Sequence, residues 1–327
     1  MGKDYADTER RWRETLVERN VLTLDGHGCS VNVERGELVL RPGGSYARRE
    51  AERRIIKGVH SVSAVVVMGG NGAISLSAIQ WCAAQKVGLF AVDRDGALTS
   101  VVATSPAHNV GVRRLQYNAN PVAVAKEVLK AKLAAGAAAR PKVKAKLVAA
   151  AAEVDKARSV ESLRLIEARA ATVYWGAWNL MLQTVGRHFP EHWRSFMQRT
   201  SSLSGSGRKA THPVNAILNY SYAILAGQVQ RALEARGFDV AVGHLHSDSD
   251  GRPSLVYDLM EPLRPKVDEQ VLTWVMAQKW RRTDFVVDAE GVVRLHSALA
   301  RVVVQKAVLA SKPVADVVRW YMETLPQ

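Results

Sequence analysis

The chain has 327 residues, 47% of them hydrophobic and 23% charged, with 45 Lys and Arg against 31 Asp and Glu and a formal net charge of +14. This composition sustains a buried core in about two domains of ~150 residues each and excludes a disordered, collagen-like or disulfide-scaffolded chain. The longest apolar runs, Ala64 to Met68 and Leu147 to Ala152, fall far short of the ~20 residues of a bilayer span, and the excess of positive charge points to a polyanionic partner, above all nucleic acid.

Residues 1 to 20 are densely charged and carry no apolar signal segment, which predicts a cytoplasmic protein. The two cysteines, Cys29 and Cys82, are too few for a disulfide framework and form no C-x-x-C zinc pair. From Val21 to about Ser105, short β-like runs alternate with turn signals. Val21 to Leu24, Val31 to Val33 and Leu38 to Leu40, separated by Gly26, Gly28 and Arg35-Gly36, read as hairpins. Val62 to Met68 predicts a further strand, Gly69 to Gly72 a turn, Ile74 to Ala84 a helix and Gly88 to Val92 a strand that ends at the Asp95-Gly96 turn. Residues 106 to 120, with Pro106, Gly111, Asn118 and Asn120, read as a linker. Beyond Pro121, Ala- and Leu-rich periodic stretches predict a mainly helical domain. The expected organisation is therefore α+β, a β-rich, β-sandwich-like domain over 1–105 followed by an α-helical domain over 121–327.

Within that helical part, Pro121 to Ala150 carries seven basic residues (Lys126, Lys130, Lys132, Arg140, Lys142, Lys144, Lys146) against the single acid Glu127. The run is either a solvated face or an electrostatic footprint for phosphates, and the charge of the whole chain favours binding. Ser204 to Gly207 followed by Arg208 and Lys209 reads either as a mobile basic loop or as a flexible connection without a role.

Two features carry chemistry. On a helix over Leu163 to Met181, the residues Leu163, Ile166, Ala170, Tyr174, Ala177, Trp178 and Met181 share one side, and Glu167 falls among them. A carboxylate there must find a cation, a metal ion or several donors, or become neutral. The second feature is Gly243-His244-Leu245-His246 followed by Val256 to Pro262, in which Asp258 and Glu261 are three apart. If a helix begins near Leu255, that spacing puts both acids on one face near its positive end, as simple charge complements or as ligands. One imidazole with two or three carboxylates suits a hard or borderline divalent ion such as Mg²⁺ or Mn²⁺, and such an ion in a basic protein suggests phosphodiester chemistry. Gly69 to Gly72 lacks the Lys-Ser/Thr ending of a phosphate loop and reads as a tight turn, and His188 and His192 flank Pro190 and read as surface residues.

Leu165 to Ala170 with Tyr174-Trp175, Pro213 to Tyr220 with Tyr222, and Gly243 to His246 with Ser254 to Pro265 together resemble the CRISPR-associated DNA integrase of spacer acquisition, the Cas-one family. The resemblance covers nearly the whole chain. It implies a β-rich N-terminal domain and a metal-dependent α-helical catalytic domain, with Glu167, His246 and Glu261 as metal ligands and Asp258 as a further acid of the site. His246 rather than His244 matches the family's Gly-x-x-His step. It implies a homodimer working with a small ferredoxin-like companion, in which the 3′-hydroxyl ends of a short DNA duplex attack double-stranded repeat DNA, and a site that can also cut DNA. Lys142, Lys144, Lys146, Arg208, Lys209 and Arg264 are the expected DNA contacts. The segment Ser201 to Thr211 departs from the Arg- and Pro-rich loop frequent in the family. A related integrase serving a mobile genetic element and a non-catalytic DNA-binding scaffold are the alternatives, and the scaffold reading expects a spoiled acid or histidine that this chain does not have.

Overall fold

The computed structural model describes residues 2–44, 50–69, 71–102, 107–184, 193, 209–246 and 251–326. The strands are β1 (Val21–Leu24), β2 (Cys29–Glu34), β3 (Glu37–Arg41), β4 (Arg53–Ile55), β5 (Ala64–Met68), β6 (Gly72–Ile74), β7 (Gly88–Val92), β8 (Leu98–Val102), β9 (Phe285–Val287) and β10 (Val293–Leu295). The helices are α1 (Gly2–Thr15), α2 (Leu76–Ala84), α3 (Val110–Tyr117), α4 (Pro121–Ala139), α5 (Lys144–Val154), α6 (Val160–Thr184), α7 (Pro213–Glu234), α8 (Ser254–Met260), α9 (Arg264–Ala277), α10 (Ser297–Ala307) and α11 (Ser311–Thr324). The fold is α+β, with the N-terminal strands preceding a largely helical remainder.

The N-terminal strands form two four-stranded sheets, in the orders β1-β5-β7-β8 and β4-β3-β2-β6. Leu24, Val65, Val67 and Leu89 from the first sheet share one buried cluster with Cys29, Val31, Leu38, Leu40 and Ile55 from the second, and Ala78, Trp81 and Cys82 of α2 join it. Of the expected hairpins, β2–β3 is one: Arg35 and Gly36 both take positive φ, 52° and 83°, as a two-residue turn between paired strands requires. The expectation fails for β1, which pairs in parallel with β5 in the other sheet. The reason lies in β5, whose residues are all buried; a strand covered on both faces belongs at the centre of a parallel sheet and recruits neighbours through crossovers. Ile74 ends β6, so the helix predicted from Ile74 begins at Leu76, where the Ser75 side chain accepts the Ala78 N–H at 3.1 Å. Gly72 opens β6 and Gly70 lies outside the described residues.

The chain divides into two compact units, Met1–Ser105 with Thr200–Gly227 and Lys279–Val308, and Pro106–Arg199 with Gln228–Gln278 and Leu309–Gln327. A stretch expected to act as a linker, 106–120, contains α3, capped by the Asn109 side chain. Later helices complete the first unit. A Cβ on Gly227 would lie 3.0 Å from the Phe90 ring, so a small residue brings α7 close to β7, and the Tyr220 hydroxyl donates to the carbonyls of Asp93 and Arg94 at 3.2 and 3.0 Å. In the same unit α10 packs against α1 and β1. In the second unit α4 packs against α5, α6, α8 and α9, and the Tyr174 hydroxyl of α6 donates to Asp268 of α9 at 2.8 Å.

Candidate metal centre

Glu167 enters the second unit on α6 as the helical periodicity requires. Leu163, Ile166, Ala170, Tyr174 and Trp178 are buried on the same side, while the Glu167 side chain keeps 20% of its surface exposed. One turn earlier, the Arg164 guanidinium donates to the Leu245 carbonyl at 2.9 Å. That bond ties the helix carrying Glu167 to the loop carrying His246.

The loop itself is built around Asp258. This fully buried carboxylate accepts the backbone N–H groups of His244 (2.6 Å), Leu245 (3.0 Å) and His246 (2.9 Å), and also the His246 Nδ1 at 2.7 Å. A carboxylate only accepts, so a ring proton sits on Nδ1 and Nε2 is the ring atom left to face another partner, the orientation typical of metal-binding imidazoles. Gly243 is required by close approach, since a Cβ would lie 2.8 Å from the Ser254 Cβ and 3.0 Å from the His246 carbonyl oxygen. His244 turns away, with its Nε2 2.8 Å from the Tyr321 hydroxyl.

Glu261 does not stand near a helix start, as one helix from Leu255 onward would require. It caps the C-terminal end of α8, and α9 begins at Arg264 with Pro265 in its first turn. Pro262 and Pro265 have no N–H to continue the α8 ladder, so the helix ends and a new one starts. The negative end of α8 is a poor place for a buried carboxylate, and two cations answer it: Arg264 Nη1 lies 2.6 Å from Oε1 and Lys132 Nζ 2.7 Å from Oε2. Burial pushes the Glu261 pKa up, but Arg264 and Lys132 outweigh it and hold the group ionised at a pKa of about 2. Burial pulls the Lys132 pKa down, and Glu261 and Glu167 outweigh that, keeping its ammonium charged. Lys132 also donates to Glu167 Oε1 at 2.5 Å.

Ligand atoms of Glu167, His246 and Glu261 all lie within 4.8 Å of one another. Ligand atoms sharing one ion at ~2.1–2.2 Å stand about 3–4.4 Å apart, so a modest closing of the three side chains brings them onto one cation. Both Glu261 oxygens are buried at ion-pair distance from their cations yet outside hydrogen-bond geometry, which leaves lone pairs for a metal. Two carboxylates and one imidazole form a donor set that suits a divalent cation.

The other expected site residues are dispersed. Asp258, the further acid, underlies His246, and Arg264 pairs with Glu261 through Nη1. Lys142, Lys144 and Lys146 are exposed on α5 and the turn before it. Lys209 lies in the first unit, 3.5 Å from Glu290. Arg208, His188, His192 and residues 201–208 of the Ser201 to Thr211 segment lie outside the described residues. The basic run of α4 concealed Lys132, whose signal was its place on the buried stripe of Ala125, Val128, Leu129 and Gly136.

The family model described as CRISPR associated protein Cas1 matches residues 22–307. The chain is similar to "CRISPR-associated endonuclease Cas1 2" of Rhodospirillum rubrum, 31% identical over 250 residues, with 69% of each chain covered. It is also 30% identical over 279 residues to "CRISPR-associated endonuclease Cas1 1" of Archaeoglobus fulgidus, covering 77% of this chain and 76% of the relative. Among solved structures, a casposase bound to integration product shares the fold at a TM-score of 0.79 and 21% identity, over 94% of this chain and 92% of that one. Among the described residues no helix is long and apolar enough to cross a membrane. From the matched length and these identities, the chain belongs to the Cas1 family of CRISPR-associated proteins.

Proposed function

We propose that this chain is a divalent-metal-dependent DNA endonuclease and integrase that inserts short DNA duplexes into a CRISPR array. The observation that carries the reading is the convergence of Glu167, His246 and Glu261 within 4.8 Å in a member of the Cas1 family. A bound Mg²⁺ or Mn²⁺ supplies Lewis-acid polarisation of a phosphodiester and stabilises the charge that develops on it. Asp258 holds the His246 ring by its Nδ1 proton and by three backbone N–H groups, so it acts as a positioning residue. In the integration step a 3′-hydroxyl oxygen forms a new phosphorus–oxygen bond as an existing one breaks, and the displaced 3′-oxygen leaves with a proton. One phosphodiester replaces another, so no protein nucleophile is required.

The net charge of +14 and the exposed Lys142, Lys144 and Lys146 support double-stranded DNA as the partner. Arg208, Lys209 and Arg264 are further proposed contacts. A homodimer, a small ferredoxin-like companion and a cytoplasmic location are further parts of this proposal, supported by the family resemblance.

The test is transfer of a labelled short duplex into supercoiled plasmid carrying a repeat array, with Mn²⁺, Mg²⁺ or chelator. Wild type is expected to require metal, and Glu167→Gln and His246→Ala to abolish transfer in folded protein. Undiminished transfer by either variant overturns the site. Equal transfer into plasmid with and without the array replaces the CRISPR target by another DNA target.

A further inference from the structure

We propose that Lys132 is the resident counter-cation of the centre, and that a divalent ion enters by displacing its ammonium from Glu167 and Glu261. The inference rests on the metal-dependent reading above and adds to it the residue that sets metal affinity.

Lys132 reaches the carboxylates from α4, outside the segments that supply the ligands. Its Nζ lies 2.5 Å from Glu167 Oε1 and 2.7 Å from Glu261 Oε2. A divalent ion held by the same two oxygens would compete with the ammonium for their lone pairs, and two positive charges so close repel strongly in a partly dehydrated site. Ammonium and metal therefore exclude each other from this position.

Charge balance points the same way. Glu167, Glu261 and Asp258 carry three negative charges, and Lys132 and Arg264 carry two positive ones. Once the ammonium leaves, the remaining groups carry two negative charges, the complement of one divalent ion. Arg264 stays, because it binds the other oxygen of Glu261 from three residues away on the same segment. Lys132 has a flexible stem and a side chain that is 22% exposed, so rotation about the stem can carry its ammonium outward.

The experiment is calorimetric titration with Mn²⁺ of wild type, Lys132→Met, Lys132→Arg and His246→Ala, each checked for folding by circular dichroism. Lys132→Met is expected to bind Mn²⁺ at least about tenfold more tightly than wild type, and Lys132→Arg no more tightly. With chelator, Lys132→Met should melt below wild type, and Mn²⁺ should raise its Tm by more. Equal or weaker binding by Lys132→Met, with binding lost in His246→Ala, overturns the role of Lys132 and leaves the metal centre standing. No Mn²⁺ binding by wild type or Lys132→Met overturns the metal-dependent reading itself. A second measurement needs no variant: in wild type, labelling of the Lys132 amine by an acetylating reagent, read by peptide mass spectrometry, should rise several-fold when Mn²⁺ is added. Unchanged labelling overturns the displacement.

Discussion

Replacing Asp258 by Asn keeps the shape of the side chain and removes one acceptor oxygen. In the native protein each carboxylate oxygen takes two donors: Oδ2 accepts from His244 and Leu245 N–H, and Oδ1 from His246 N–H and Nδ1. The amide nitrogen of Asn must face one of these pairs, so one or two backbone donors lose their acceptor in a fully buried place, and facing the Oδ1 pair it also forces the His246 ring proton from Nδ1 to Nε2. At ~1.5–3 kcal/mol for each hydrogen bond to a charged group, the loss is about 1.5–6 kcal/mol, a large part of the ~5–15 kcal/mol that holds a domain together. Urea unfolding followed by tryptophan fluorescence reads this directly. Because the same change frees the His246 ring, Mn²⁺ affinity should also fall by ~10–100-fold, as it does when an outer partner of a metal-bound imidazole is lost. A variant within about 1 kcal/mol of wild type that retains its Mn²⁺ affinity would refute the view that this carboxylate organises the loop.

Gly243→Ala adds a methyl group against Ser254 and the His246 carbonyl and should cost about 1–3 kcal/mol of stability together with at least tenfold in strand transfer, measured in parallel on one preparation. Changing Lys142, Lys144 and Lys146 together to Ala should flatten the salt dependence of DNA binding by up to ~0.9 log unit of slope for each phosphate no longer neutralised; an unchanged slope shows that none of the three binds a phosphate. Arg301→Met removes a buried guanidinium that lies 2.6 Å from Glu50 and 3.2 Å from Asp25 and should cost about 3–5 kcal/mol, since the carboxylates stay behind. Burial raises the Glu50 pKa, but Arg301, Arg13 and Arg53 outweigh it and hold the group below its usual 4.5. Its stabilisation is therefore complete above about pH 4.5 and lost as pH falls through the lower folded value. Urea midpoints followed from neutral into acid should show this loss in wild type and a smaller one in Arg301→Met.

Much of the centre was legible because its residues violate their surroundings. Glu167 breaks an apolar helical face, and the two histidines and two acids of Gly243 to Glu261 crowd a short segment. Their convergence is long-range, spanning α6, the His246 loop and the α8–α9 junction, and the family resemblance supplied it where periodicity could not. Lys132 obeys the same face rule as Glu167 but stands in a basic run, and charge composition does not distinguish a half-buried lysine from three exposed ones. The break between α8 and α9 turned on two prolines, either of which a helix tolerates near its start. In the fold, turn chemistry identified the β2–β3 hairpin, while the parallel partner of β1 lies some forty residues away, beyond any local pattern. The interleaving of the units was hidden for a related reason: the surfaces that α7 and α10 cover are created only when the sheets form.

That interleaving constrains how the protein is made. A ribosome releases the eight N-terminal strands early, yet the first unit also needs Thr200–Gly227 and Lys279–Val308. Its assembly waits for synthesis to pass residue 308, and until then apolar faces of the nascent sheets have no permanent cover. A fragment that stops before α10 would leave the same faces bare indefinitely.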